Sequence, residues 1–197
     1  MFKKTIHFPS HLTRHPFVSK VALTLGLLLP GSLLALSATA GQLQDGRFYF
    51  DHAPRLVRTV STLPATHQPS TYQFTVKVPE DAGANLHALR ITQDPNANQV
   101  NFDVNRSSAF LGDSLAGGPA VSLANVGGTM PTDSNEVMVV FAPPISPGQT
   151  VTVELQTDAN PDSSGIYLFG VTAFPQGQNS PGIPLGHGRV NVYDHSQ

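Results

Sequence analysis

The segment YQFTVKV, residues Tyr72–Val78, alternates apolar and polar side chains at every step and is followed by Pro79. A period of two sends Tyr72, Phe74 and Val76 to one face of an extended strand and the polar side chains to the other. We therefore expect a β-strand that buries one face. The same alternation predicts further strands at Leu89–Thr92, Val100–Asn105, Val121–Leu123 and Thr150–Gln156.

Two other segments, Val137–Ala142 and Ile166–Phe174, are apolar on both faces. Such runs are typical of central strands that are covered on both sides. A last strand is predicted at Arg189–Tyr193. A short helix is compatible with Ser108–Leu115 alone.

Turn-forming residues separate these segments, among them Gly117-Gly118-Pro119 and Asn160-Pro161-Asp162. Many short strands, frequent turns and almost no helical periodicity predict an all-β fold. We expect a single antiparallel β-sandwich domain, immunoglobulin-like, over residues 41–197, with its core roughly between 47 and 194.

The first forty residues differ in kind from the rest. They carry four basic residues and no acidic one, then an apolar run (Val21–Leu36) and the small residues Ser37-Ala38-Thr39-Ala40. This is the order of a secretory signal peptide that is cleaved after Ala40. The alternative is a retained anchor, but Pro30-Gly31 interrupts a run already shorter than the ~20 residues of a spanning helix. We expect cleavage, no membrane span afterwards, and a location in the periplasm or outside the cell.

Removal of this leader leaves an acidic chain. The full sequence has 11 Lys and Arg against 13 Asp and Glu, so losing four basic residues leaves seven against thirteen, a net charge of −6. That balance is unfavourable for nucleic acid, whose binding depends on Lys and Arg at the phosphates. The chain has no cysteine, so it lacks disulfides and a Cys-linked lipid.

Three segments of the second half carry a resemblance to a known family: FAPPISPGQTVTVEL (141–155), GIYLFGVTAFPQG (165–177) and LGHGRVNVYD (185–194). With the leader and PRLVRTVST (54–62), they resemble a cyanobacterial family of exported proteins whose domain has no assigned function. The resemblance implies a small exported β domain, and it implies no activity and no site. It also leads us to expect an aromatic residue where His187 stands between two glycines.

The first of these segments contains Pro143-Pro144-Ile145-Ser146-Pro147-Gly148. Pro147-Gly148 fits the two central positions of a type II turn, because Pro presets φ and Gly accepts a positive φ. The alternative is a polyproline ligand for an aromatic groove on a partner. The turn explains every residue and is the prediction.

Gly112-Asp113-Ser114-Leu115 matches the nucleophile block of the GDSL hydrolases. In that family the serine follows a strand of a doubly wound α/β domain, and nothing here alternates strands with helices. A nucleophilic serine also needs a base within hydrogen-bond reach, but Asp194 and His195 are adjacent instead of three residues apart. We interpret the motif as a turn.

The Asx-rich segment Asp158–Gly165 is similar to the first half of a calcium loop. An EF-hand loop has Gly at its sixth position and Glu at its twelfth, where this chain has Ser163 and Phe169. A turn is the favoured interpretation, and the same holds for the smaller cluster around Asp94, Asn96 and Asn98.

Histidines could hold copper or zinc only if the fold assembled them, because none pairs with another at the i+2 or i+4 spacing. Met130 and Met138 are too isolated for a thioether copper site. The histidines after the leader are His52, His67, His87, His187 and His195. We predict no catalytic residue, no metal ligand and no cofactor site.

Arg189 opens the last predicted strand, and we expect it to pair with a carboxylate across the sheet; an anion-binding role is the alternative. The leading hypothesis for the whole chain is an exported, non-enzymatic binding or structural domain, whose partner is an envelope protein or a surface polymer. A periplasmic metal-handling protein is the alternative, and a hydrolase using Ser114 is the third.

Overall fold

A computed structural model describes residues 46–126, 135–177 and 179–194. The expected signal peptide and His195 lie outside these residues. Within them the chain forms strands and no helix. The nine strands are β1 (Arg55–Ser61), β2 (Ser70–Lys77), β3 (Leu86–Gln93), β4 (Asp103–Leu111), β5 (Leu123–Val126), β6 (Glu136–Ile145), β7 (Thr150–Thr157), β8 (Gly165–Pro175) and β9 (Ile183–Val192).

These strands build two antiparallel sheets that face each other. One sheet has the strand order β1-β2-β7-β4 and the other has the order β5-β6-β3-β8-β9. The longest regular pairing joins β2 to β7, from Ser70↔Thr157 to Lys77↔Thr150. The predicted all-β sandwich is confirmed.

The strand order also confirms the immunoglobulin-like prediction. Without β5 and β6, the sheets contain the first, second, fifth and fourth of seven strands on one side and the third, sixth and seventh on the other. That is the layout of an immunoglobulin constant-type domain. The pair β5–β6 extends the second sheet beside β3, and the chain inserts it between the fourth and fifth strands of that layout.

Two aromatic residues of β8 strengthen this assignment. The hydroxyl of buried Tyr167 donates to the carbonyl oxygen of Ser163 at 2.8 Å, which is the arrangement of a tyrosine corner at the start of the sixth strand. Two residues later, Phe169 meets Phe74 of β2 edge-to-face, with ring centroids 5.6 Å apart. Antibody domains link these two strands by a disulfide, and here the aromatic rings link them.

The core lies between the sheets, where the alternating residues of β2 and β7 point inward. Tyr72, Phe74, Val76, Val151 and Val153 are all fully buried. The alternation at Tyr72–Val78 and Thr150–Gln156 therefore predicted both strands and the faces that they bury.

Three local predictions are wrong. Ser108–Leu115 is not a helix: its first half belongs to β4, because Ala109 pairs with Val153 of β7, and its second half is a turn. The strand predicted at Val100–Asn105 begins at Asp103, and the one at Val121–Leu123 begins at Leu123.

The prediction that Val137–Ala142 and Ile166–Phe174 are covered on both faces is also wrong. Both strands bury one face only, and Ile166 and Leu168 are exposed. The physical reason is that the described sandwich has two layers, so the outer face of the five-stranded sheet has no third layer against it. Apolar side chains on that face stay in contact with water.

The outer strands β1 and β9 close one side of the sandwich. Gly188 of β9 lies so near β1 that a Cβ atom on it would stand 2.1 Å from the Thr59 hydroxyl oxygen. A glycine is required for this approach, since any larger residue would push the two strands apart.

Candidate functional site

Exposed apolar side chains gather at one end of the five-stranded sheet. Among the described residues, six large apolar side chains are strongly exposed, and four of them follow one another across the surface. We name these four the Tyr193 strip: Leu168 (37% exposed), Ile166 (49%), Tyr193 (57%) and Leu63 (52%). Contiguous exposed apolar surface of this kind marks interaction sites in soluble proteins.

Two open grooves meet at Tyr193. The larger, of about 420 Å³, runs between the start of β8 and the end of β9, and its lining includes Ile166, Arg189, Asn191 and Asp194. The smaller, of about 250 Å³, is lined by Leu63, Pro64, Ala65, Gln68 and Tyr193. The first mixes polar and apolar groups, whereas the second is almost wholly apolar.

The loop between β1 and β2 forms one wall of the smaller groove, and buried Asn160 holds it in place. The Asn160 side-chain amide donates to the carbonyl oxygens of Leu63 and Ala65, the latter at 2.7 Å. Its own oxygen accepts from the hydroxyl of Tyr72 at 2.8 Å. The exposed end of the strip is therefore bonded to a network in which the side chains of Asn160 and Tyr72 are buried.

Burial raises the pKa of Tyr72 well above its ordinary value, and the nearby Tyr167 adds to the effect. The hydroxyl consequently keeps its proton at every physiological pH and goes on donating to Asn160. The hydrogen bond from Tyr72 to Asn160 therefore does not change with pH near neutrality.

The backbone of Tyr193 is also fully engaged. Its N–H donates to the carbonyl oxygen of Pro64 at 2.7 Å, and its carbonyl accepts from the N–H of Thr66 at 2.8 Å. These bonds place Tyr193 beside the loop that carries Leu63, although the two residues are far apart in the sequence. Only the side chains of the strip are left to contact a partner.

Arg189 does not form the carboxylate pair that the sequence suggested. Its guanidinium donates through Nε to Asn191 Oδ1 at 3.2 Å, and in the part of the chain that the structure describes it makes no ion pair. Its side chain is exposed. The groove thus presents an oriented guanidinium to solvent.

The surroundings of His187 explain why an aromatic ring is expected at its position. It stands across from Gly170 on β8, and a Cβ on that glycine would lie 3.5 Å from His187 Nε2. A flat ring covers the bare backbone of a cross-strand glycine, as aromatic residues do in other sheets. His187 also contacts Asp94, with 3.4 Å between Nε2 and Oδ1.

The remaining candidate ligands for a metal are dispersed. His52 contacts Asp81 at 3.3 Å, and His67 contacts Asp162 at 3.2 Å, on different loops. Within residues 46–126, 135–177 and 179–194, no three His, Asp or Glu side chains come close enough to share an ion. Met130 and His195 lie outside those residues.

The Asx-rich segments serve other contacts. Asp158 pairs with Arg106, whose guanidinium also bonds Asp103 at 2.7 Å. This contact lowers the pKa of Asp103 below its ordinary value. Asn96 donates to the carbonyl oxygen of Ile166 at 2.9 Å, which ties the loop after β3 to the start of β8.

The GDSL-like residues form part of a loop that covers the outer face of the four-stranded sheet. In this 112–120 loop, the carbonyl oxygen of Gly112 accepts from the Thr152 hydroxyl at 2.8 Å, and that of Leu115 accepts from Gln73 at 3.4 Å. The Ser114 hydroxyl accepts from the N–H of Ala116 at 3.2 Å. Ser114 therefore lies in a turn of the loop that covers the outer face of the four-stranded sheet.

A family model for proteins of unknown function, DUF2808, matches residues 47–192. The chain belongs to this family. The sequence resemblance to a family with an unassigned domain is thereby confirmed at the level of the family, and the DUF2808 match covers all nine strands. No curated protein sequence matches the chain.

Solved structures with a similar fold are distant in sequence. The collagen-binding subdomain of the Enterococcus faecalis surface protein ACE has 10% identity and a TM-score of 0.40, over 68% of this chain and 93% of that one. The major pilin SpaD of Corynebacterium diphtheriae has 14% identity and a TM-score of 0.44, over 70% of this chain and 33% of the pilin. An immunoglobulin-like protein of Nocardia farcinica has 14% identity and a TM-score of 0.40, over 68% and 97%.

Sequence reasoning missed the residues of the Tyr193 strip and of the Asn160 network beneath it. Leu63, Asn160 and Tyr193 belong to three segments that meet only in the fold. The one local signal was the largely apolar run Ile166–Phe174, which we interpreted as a strand covered on both faces. In the part of the chain that the structure describes, no helix is present that could cross a membrane.

Proposed function

We propose that the protein is exported and acts, outside the cytoplasm, as a non-enzymatic binding domain whose partner docks on the Tyr193 strip. The observation that carries the proposal is the strip itself: four exposed apolar side chains, with the backbone of Leu63 bonded by Asn160 and that of Tyr193 bonded to Pro64 and Thr66. Fixed apolar anchors lose little freedom on binding, which is what a specific binding surface needs.

Export is supported by the order of charge, apolar run and small residues before Gly41. The resemblance to exported cyanobacterial proteins supports the same location. The partner is then a component of the envelope or of the extracellular space, either a protein or a surface polymer.

The absence of an activity is part of the proposal. Ser114 takes part in a turn and covers a sheet face, and its hydroxyl accepts a backbone hydrogen bond. Nucleophilic catalysis needs a base beside the hydroxyl, and no described histidine has a contact with it.

The test is sedimentation of the exported protein, purified from its host, with isolated envelopes of host cells that lack it. We expect saturable binding that falls at least tenfold in the double variant Ile166→Ser, Tyr193→Ala, because truncated anchor residues dominate such losses. The matched control is Leu115→Ser, which removes an equally exposed apolar side chain from the 112–120 loop.

Equal binding by the strip variant and the wild type would contradict the docking surface. Turnover of ester, glycoside or peptide substrates, abolished by a point mutation, would contradict the non-enzymatic assignment.

A further inference from the structure

The polar residues beside Tyr193 have a chemistry of their own. Three planar side chains line the larger groove with the tyrosine: the guanidinium of Arg189, the amide of Asn191 and the carboxylate of Asp194. Gln68 adds a second amide in the smaller groove. Planar groups with two donors or acceptors engage neighbouring hydroxyl groups in pairs.

An exposed aromatic ring among such groups matches the two sides of a sugar. A pyranose ring presents a patch of C–H bonds on its face and hydroxyl groups around its rim. The Tyr193 ring is 57% exposed and offers an apolar, electron-rich surface to the C–H patch. Arg189 and Asn191 are already oriented by their mutual hydrogen bond, so the rim hydroxyls meet groups in place.

The backbone at Tyr193 is unfavourable for a peptide that would bind as an added strand. Strand addition needs unpaired backbone groups at a sheet edge, but the N–H and carbonyl of Tyr193 are bonded to Pro64 and Thr66. Farther along β9, Gly188 is pressed against Thr59 of β1. A ligand at this place is therefore recognised by side chains and not by backbone hydrogen bonds.

The charge of the surface selects among polymers. The larger groove holds one cation, Arg189, and one anion, Asp194, so it is balanced overall. The chain after the leader carries seven basic and thirteen acidic residues, as counted above, and this excess repels a polyanion. An uncharged polymer is not repelled by this excess of acidic residues.

We propose that the two grooves that meet at Tyr193 bind an uncharged polysaccharide, with one sugar ring on the tyrosine and its neighbour in the groove beside Leu63. Two open grooves in succession accommodate at least two units of a chain. The inference rests on the proposed function and names the class of polymer that this surface takes.

Affinity electrophoresis of the exported protein tests it, in native gels that contain β-1,3-glucan, hydroxyethyl cellulose, galactomannan or alginate. We expect at least one of the three uncharged polymers to retard the wild type. The retardation should fall at least fivefold in Tyr193→Ala, persist in Tyr193→Trp, and be unchanged in the control Leu115→Ala, whose side chain lies outside both grooves.

Three results would overturn the inference: no retardation by any uncharged polymer, stronger retardation by alginate, or equal retardation of Tyr193→Ala and the wild type. Envelope binding that depends on the strip, without retardation by the uncharged polymers, would refute the polysaccharide and leave the proposed function standing. Envelope binding that is insensitive to the strip would refute the proposed function itself.

Discussion

The two sheets have outer faces of opposite character, and the chain treats them in opposite ways. On the four-stranded sheet, Gln73, Thr75 and Thr152 point outward yet are buried, because the 112–120 loop lies over them. On the five-stranded sheet, Ile166 and Leu168 point outward and are left in water. The polar row is covered, and these two apolar side chains are open to water.

This contrast has an energetic meaning. A buried polar row is tolerated when it is hydrogen-bonded. Gln73 donates through Nε2 to the loop, although its Oε1 has no partner, and the hydroxyls of Thr75 and Thr152 are 2.9 Å apart. An open apolar face forgoes roughly 25 cal/mol of stabilisation for each Å² left uncovered. The uncovered apolar side chains of the five-stranded sheet therefore leave that stabilisation unused.

The largest expected difference between the faces comes from shortening one apolar side chain on each. Phe110 points outward from β4 beneath the 112–120 loop and is 5% exposed. Phe110→Ala should lower the free energy of unfolding by about 3 kcal/mol, as for other buried phenylalanines. Leu168→Ala on the bare face should change it by less than about 1 kcal/mol. Urea unfolding measures both, and equal losses would break the comparison.

A smaller effect is expected from the network under the strip. Tyr72→Phe leaves Asn160 Oδ1 without its donor and should cost about 1–2 kcal/mol at pH 7. In the wild type, the raised pKa of Tyr72 means that the unfolded chain releases this proton near pH 10 while the folded chain keeps it. The contribution of this group to stability is therefore fully present below pH 10 and is lost as the pH rises above it.

The variant lacks that ionisation, so its loss of stability per pH unit above pH 10 should be smaller by about 1.4 kcal/mol. Unfolding in urea at pH 8, 10 and 11 checks this, with Tyr193→Phe as the control because that ring is exposed. Parallel curves for Tyr72→Phe and the wild type would show that Tyr72 is not held protonated by burial.

The smallest expected effect on stability is that of Ile166→Ser, within about 0.5 kcal/mol, because the side chain is already half exposed. Retention on an octyl hydrophobic-interaction column should nevertheless decrease clearly. Thr172→Ser, on the same outer face of β8, is the control and should elute with the wild type. A stability loss above 2 kcal/mol for Ile166→Ser would show that the face is covered after all.

The sequence predicted the sandwich because a period of two is a local signal that survives in β2 and β7. The period of two did not predict β1, because a bulge between Leu56 and Arg58 shifts the register and breaks the alternation. The predicted last strand is shorter than β9, because β9 contains Pro184, Gly186 and Gly188, residues that are rare in strands.

The site was beyond local reasoning for a different reason. Leu63 and Tyr193 meet through the hydrogen bond from the Tyr193 N–H to Pro64, and a contact at that separation leaves no pattern in either segment. Apolar residues on both faces of a strand are also ambiguous. They indicate a covered strand or a face kept open, and only the number of layers decides between them.

The ring contact between Phe74 and Phe169 has a consequence for where the protein works. It stands where related folds carry a sulfur–sulfur bond, and it contributes about 0.5–1.5 kcal/mol beyond the area that it buries. Nothing in it can be reduced, exchanged or mispaired. The cross-sheet link therefore forms without an oxidase, and its strength is the same in reducing and in oxidising surroundings.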